Sequence, residues 1–301
     1  MDLNYMNLHE SIYGKSIHEI LQRDWQRDDW EKLHGLDPNN QVWCRRGMIL
    51  KITSIEKFYA LMLKDALADI HSALAPLKVV PALLWITYKE PYLITGFEKL
   101  EEIGTSSAFA IGMTLAKAHC GLENIPVRKT YPWIGFYGEP HEFKMLIPHV
   151  KDTQIRTKAK YLLSKITIRN HTNLVHYIHR DMNPSNVINT KNGVFLIDWD
   201  MAHGGYRIDD VAMAICCLAQ QDDTCLLMDF YSEFIEGYRQ YIRVDWADCS
   251  SAELLSAIAL AGLRQAVAGW FTDKGDLSGL YWPNILKRLD TAIELCKTAE
   301  A

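Results

Sequence analysis

The sequence is short of several things, and each shortage removes a class of protein. No apolar run approaches the ~20 residues of a membrane-spanning helix; the longest are stretches such as Val79 to Ile86 and Val211 to Ala219. The opening residues, MDLNYMNLHESIYG, have neither a basic start nor an apolar core of signal length. Positive charge is scarce. With 32 Lys and Arg against 37 Asp and Glu, the net charge is −5, which gives no basic footprint for nucleic acid. Neither a nucleic acid nor a membrane is therefore expected as a partner. None of the seven cysteines stands in a CxxC pair, and an odd, scattered set points to reduced thiols in a cytoplasmic protein. Cys216 and Cys217 adjoin in an apolar run and read as core. There is no internal repeat, no low-complexity tract and no GxGxxG phosphate loop.

What is present is concentrated between His179 and Asp200, which reads HRDMNPSNVINTKNGVFLIDWD. Val187-Ile188 and Val194 to Ile197 are β-favouring runs, with Lys191-Asn192-Gly193 between them. A three-residue loop with Gly at the left-handed position suits a hairpin. Centred on Asn192, that turn predicts Asn186 directly opposite Asp198. A carboxamide and a carboxylate meeting at strand ends make a hard-oxygen site suited to Mg²⁺ carrying phosphates. Asp181, in the tight loop before, is placed to accept a proton from an attacking hydroxyl. Base, metal ligand, hairpin, metal ligand is the layout of a kinase catalytic centre.

The segment resembles the HxDxxxxN plus DxD signature of the aminoglycoside phosphotransferase and choline kinase family, a small-molecule branch of the protein-kinase-like fold. HRDMNPSN also resembles a protein-kinase catalytic loop, with Asn183 where that loop usually has Lys. The metal motif is Asp198-Trp199-Asp200 rather than DFG, and no APE follows, which favours the small-molecule branch. Gly205 to Ala212 is similar to the family's Gly…Asp-Leu-Ala element, with Asp210 matching its Asp. The resemblance implies an α+β, bilobal fold. A small β-rich lobe with one long helix, residues 1–97, would bind nucleotide. A larger, mostly helical lobe, 98–301, would carry the catalytic hairpin and the acceptor.

Other roles follow from the same resemblance. His179 braces the catalytic loop beside Asp181, Asn186 and Asp198 hold Mg²⁺, and Asp200 either supports the metal from behind its ligands or contacts it directly. Arg180, beside the base, reads as a structural pairing partner. Lys51, inside the apolar strand Ile49 to Ile52, needs an anionic partner and matches the family's phosphate-gripping lysine. Its acidic partner on the following helix is Asp65, with Asp69 as the rival. The hinge that reads adenine through its backbone falls at Thr95, Gly96, Phe97 and Glu98. ATP, or GTP, and Mg²⁺ are the implied cofactors. The implied partner is a small hydroxylated acceptor, an aminoglycoside, other aminated sugar or amino alcohol. Two alternatives stand beside this reading: a catalytically silent, spore-coat-like member of the fold, and a protein kinase. Oligomeric state is left open.

The rest of the chain gives expected elements. Gln41 to Arg45 and Met48 to Thr53 read as a hairpin, Ile55 to Leu74 as a helix, and Pro81 to Tyr88 with Pro91 to Phe97 as two strands. Ser106 or Ser107 caps a helix running to about His119, a histidine read as structural. Lys151 to Ile168 is an amphipathic helix. Beyond Ala212 the pattern is helical: 211–220, 224–241, 252–270 and 280–298. Ser11 to Trp30 reads as partly helical, Asp37 to Asn40 as a possible phosphate cover and Tyr131 to Gly138 as a loop. Asp222, Asp223, Glu233 and Glu236 are candidates for an acidic floor. Tyr238, Tyr241, Trp270, Phe271, Tyr281 and Trp282 are candidates for an aromatic wall, although core is the commoner use of such residues.

Overall fold

Alternation along one strand sets the first layer. In β3 (Met48–Ser54), Leu50 and Ile52 bury on one face with Ile94, while Lys51 and Thr53 face the other way. The computed structural model describes residues 31–33, 40–45, 47–55, 57–127, 140–166, 176–219, 224–242, 252–272 and 282–299. In it, β3 is a central strand of a five-stranded antiparallel sheet. The others are β1 (Glu31–Leu33), β2 (Asn40–Arg45), β4 (Leu83–Lys89) and β5 (Tyr92–Glu98), in the order β1-β2-β3-β5-β4. Helix α1 (Lys57–Leu74) follows β3 and buries Leu63, Ala66, Leu67, Ile70 and Leu74. Those spacings of three and four place its apolar stripe on one side. Ser11 to Trp30, Tyr131 to Gly138 and all but Asn40 of the possible phosphate cover lie outside the described residues.

The helical part begins with α2 (Ala108–Gly121), where Ser107 caps the first turn by accepting from the Ala110 amide at 3.2 Å. Short α3 (Pro140–Leu146) precedes α4 (Thr153–Lys165), which Asp152 caps at the Ile155 amide. Two small antiparallel ribbons follow. β6 (His176–Ile178) pairs with β9 (His203–Gly205), and β7 (Val187–Thr190) pairs with β8 (Gly193–Leu196). Helices α5 (Arg207–Leu218), α6 (Thr224–Arg239), α7 (Ala252–Thr272) and α8 (Trp282–Thr298) complete the chain. One main core joins α1 to these helices, with Cys216 and Cys217 inside it. The expected α+β architecture, a β-rich amino-terminal part and a helical carboxy-terminal part, is the one observed.

Helices α2 and α6 approach through glycine. A β-carbon on Gly112 would fall on the Phe234 carbonyl of α6, and one on Gly237 on the Phe109 carbonyl of α2. Backbone cannot yield as a flexible side chain would, so the contact holds only without side chains there. Gly237→Ala is expected to destabilise the protein by about 1–3 kcal/mol, through overpacking. Urea denaturation checks this, and an unchanged midpoint would mean that the helices separate at no cost.

Candidate active site

Asp181 lies half-buried in the loop after β6. Its backbone oxygen accepts from the Asn183 amide at 3.0 Å, and Asn183 Oδ1 accepts from the Ser185 amide at 3.0 Å. Asn183 thereby caps the short turn Pro184–Asn186. That turn delivers Asn186 back onto Asp181. Asn186 Nδ2 donates to the Asp181 backbone oxygen at 2.8 Å and to its carboxylate Oδ2 at 2.9 Å. With both amide protons spent there, the hard oxygen of Asn186 is directed away from Asp181.

The hairpin corrects the expected register. Val187 pairs with Leu196 and Thr190 with Gly193, so the loop is the two residues Lys191-Asn192, not three. Gly193 has φ +116°, a value that favours glycine, and it closes the tip. Asn186 consequently faces Ile197, whose amide donates to the Asn186 backbone oxygen at 2.9 Å. Asp198 comes one residue later. There its own backbone turns left-handed, φ 62° and ψ 61°, into the turn Trp199–Met201.

Lys51 reaches this corner from the sheet. Its Nζ lies 2.6 Å from Asp198 Oδ1 and 2.8 Å from Asp200 Oδ2. Lys51 is 8% exposed. Burial alone would depress its pKa, but the two carboxylates outweigh burial and hold it above its ordinary value. Crowding by protein pushes Asp198 up, and the Lys51 ammonium overcomes this and holds it below the usual carboxylate range. The Asp198 side chain is still 39% exposed, against 10% for Asp200, so solvent moderates both effects and the direction is what stands. The anions that Lys51 meets thus come from the turn after β8, 147 positions on in the case of Asp198. Asp65 is exposed on α1 and Asp69 is half-buried.

A buried hydrogen-bond chain fixes the loop behind Asp181. Asp210, in the first turn of α5, accepts from the His179 amide and the Arg180 amide, both at 2.6 Å. Arg180 has φ +67°, a costly conformation for a non-glycine residue, and these bonds hold it there. Asp210 also receives His119 Nε2 at 3.2 Å, and His119 Nδ1 meets the Tyr238 hydroxyl at 2.7 Å. The partners assign the tautomer: Nε2–H donates to Asp210 and Nδ1 accepts from tyrosine. Burial lowers the pKa of His119 and raises that of Tyr238, so both are neutral. For Asp210, burial pushes upward, but His119 and the amides prevail and it stays anionic. His179 repeats the device. Its Nε2 donates to the Ile197 carbonyl at 2.8 Å, and its Nδ1 accepts from the Asp181 amide at 3.3 Å. Its ring packs 4.5 Å from that of the buried Trp199. One imidazole therefore spans the residue after which Asp198 begins and the backbone of Asp181.

Two other histidines give the fold a pH dependence. His71, on α1, meets the Pro81 carbonyl at 3.2 Å. Burial lowers its pKa to about 4, and burial with Arg180 nearby lowers that of His203 to about 4. Between pH 6.5 and 4 the unfolded chain binds more protons at these positions than the folded chain, so stability rises with pH across that window. Stability is expected to fall as pH drops from 6.5 toward 4, with His71→Asn flattening the slope. Urea midpoints measured across the range decide it; a midpoint unaffected between pH 6.5 and 4.5 would contradict it.

The remaining expected site residues are placed as follows. Thr95, Gly96, Phe97 and Glu98 lie in β5, between β3 and β4. Thr95 pairs with Lys51 and Ile86, Gly96 with Leu50 and Trp85, and the Glu98 amide donates to Ala82. Thr95 to Phe97 are paired on both edges, and Glu98 is the last residue of the strand, paired with Met48. Glu233 and Glu236 are exposed on α6. Tyr238 is buried against His119, Trp270 is buried and Tyr241 is exposed. Asp222, Asp223 and Tyr281, with the side chains of Phe271 and Trp282, fall outside what is described. The anchoring role of Tyr238 was missed from the sequence, because a tyrosine at helical spacing looks the same whether it packs or bonds.

Among the described residues no three His, Cys, Asp or Glu side chains form a metal cage. The donor set still fits Mg²⁺. That ion commonly takes one or two carboxylates and completes its shell with water and phosphate oxygens. Asn186 and Asp198 could provide such a partial set, and Lys51 could provide a cation for phosphate.

The sheet of five strands, the helical remainder and the His179 to Asp200 corner define a kinase-like fold of the small-molecule phosphotransferase type. The phosphotransferase enzyme family model matches residues 34–251, and the chain belongs to that family. Among solved structures it is similar to the amicoumacin kinase hAmiN in complex with AMP-PNP, Ca²⁺ and Ami, at 15% identity and TM-score 0.63, covering 99% of this chain and 96% of that one. The aminoglycoside phosphotransferase APH(4)-Ia gives 14% and 0.62, covering 95% and 98%. The choline kinase LicA from Streptococcus pneumoniae gives 16% and 0.54, covering 94% and 98%. These identities establish likeness of fold. No curated protein sequence matches the chain. No helix among the described residues is long and apolar enough to cross a membrane.

Proposed function

We propose that this protein transfers the γ-phosphoryl group of ATP, or of GTP, to a hydroxyl of a small molecule, with Mg²⁺. The observation that carries the reading is one corner: Asn186 bonded to the Asp181 carboxylate, and Lys51 bonded to Asp198 and Asp200. On this reading they supply a proton acceptor, oxygen donors for a hard cation and a cation for phosphate. Lys51 would hold the nucleotide phosphates. Asn186 and Asp198 would hold Mg²⁺, with Asp200 in support. The bound ion would neutralise charge on the phosphates.

Asp181 orients the acceptor hydroxyl and takes its proton as the new O–P bond forms and the bond between the γ-phosphorus and the bridging oxygen breaks. His179 and Asp210 keep Asp181 in place, so positioning is done before substrate arrives. The base of the nucleotide would be read by the backbone at the end of β5, from Glu98 onward, since Thr95 to Phe97 are paired on both edges. For the acceptor, aminated sugars and amino alcohols come first. The similar structures include kinases named for amicoumacin, aminoglycosides and choline.

The test is ADP release over a panel of aminoglycosides, amino alcohols and sugars, run beside peptides. Turnover on a small hydroxylated compound supports the reading. No turnover, together with no Mg²⁺-dependent thermal stabilisation by ATP, makes this a silent member of the family.

A further inference from the structure

The position of Lys51 bears on when a metal ion is admitted. Its ammonium touches Asp198 at 2.6 Å and Asp200 at 2.8 Å, and Asp198 is the carboxylate placed to take the ion. Two adjacent carboxylates need a cation if both are to stay ionised. Lys51 supplies it, from a strand paired on both edges, so its backbone is fixed and only its side chain can move. A divalent ion approaching alone must compete with a buried ammonium for Asp198 Oδ1. A nucleotide changes the balance, because its phosphates offer Lys51 more negative charge than the two carboxylates do.

We propose that Lys51 is the resident counter-ion of the Asp198–Asp200 pair and bars a divalent cation from that seat until nucleotide phosphates draw the ammonium away. This rests on the phosphotransferase reading above. Its consequence is an order of binding: nucleotide with or before metal, never metal first. Binding coupled in this way is reciprocal, so the metal must also strengthen nucleotide binding.

The probe is Mn²⁺, whose free concentration is followed by electron paramagnetic resonance in titrations of the full chain. ADP is present or absent, and ADP without protein corrects for binding in solution. The wild type is expected to bind Mn²⁺ at least ~tenfold more weakly without ADP than with it. In Lys51→Gln the carboxylates lose their counter-ion, and Mn²⁺ alone is expected to bind at least ~tenfold more tightly than to wild type. Lys51→Arg keeps a cation and the weak binding. Equal affinity of wild type and Lys51→Gln without ADP overturns the proposal. Should Lys51→Gln fail to fold, wild type decides: Mn²⁺ bound as tightly without ADP as with it has the same meaning. If wild type takes up no Mn²⁺ even with ADP, the phosphotransferase reading falls, and the proposal with it.

Discussion

Asp181→Asn is expected to lower kcat by ~10²–10⁴ while nucleotide affinity and the thermal midpoint stay close to wild type. The split follows from what the residue touches. The backbone oxygen of Asp181 takes Asn183 and Asn186, and the substitution leaves it untouched. Among the described residues the side chain accepts only from Asn186 Nδ2, and an asparagine oxygen can accept the same bond. What the variant loses is the ability to take a proton. Steady-state kinetics on an acceptor found by the panel, with thermal melting alongside, is the measurement. Full turnover in a folded variant would remove Asp181 from the mechanism.

Asp210→Asn has the larger effect on stability. The carboxylate is fully buried and both its oxygens are occupied, by the amides of His179 and Arg180 and by His119 Nε2–H. Asparagine keeps the volume but replaces one acceptor oxygen with an NH₂, which would point a donor at a donor. Breaking a buried charged network in this way costs about 3–5 kcal/mol. Arg180 also loses what holds its left-handed backbone, so kcat falls as well. Chemical denaturation gives the first number; a loss under 1 kcal/mol would mean that the network is dispensable.

Much of this was legible in the sequence. The β-favouring runs on either side of Lys191 to Gly193 mark the hairpin, and the order of Asp181, Asn186 and Asp198 marks the corner. What sequence could not supply was one residue of register. Lys191-Asn192-Gly193 is compatible with a two- or a three-residue loop, and the choice moves every opposed pair. It decides whether Asn186 faces Ile197 or Asp198. Lys51 is similar. An apolar strand says that a buried lysine needs an anion, but not from which element. The helix aspartate is nearer in sequence; the aspartates that close on it lie about 150 positions away. Thr95 to Glu98 could be placed only by position, because backbone recognition has no side-chain signature; the sheet order puts them in β5, between β3 and β4.

The link from Tyr238 through His119 to Asp210 also bears on how such a protein can be altered. A hydroxyl on α6 sets the tautomer of a histidine on α2, which in turn supports the turn holding Asp181. Helix α6 is therefore no interchangeable module. A chimera that imports a foreign α6 without a hydroxyl at position 238 would carry its defect into the chemistry, however well the graft packs. Redesign of this region has one fixed point, and it lies in the interior.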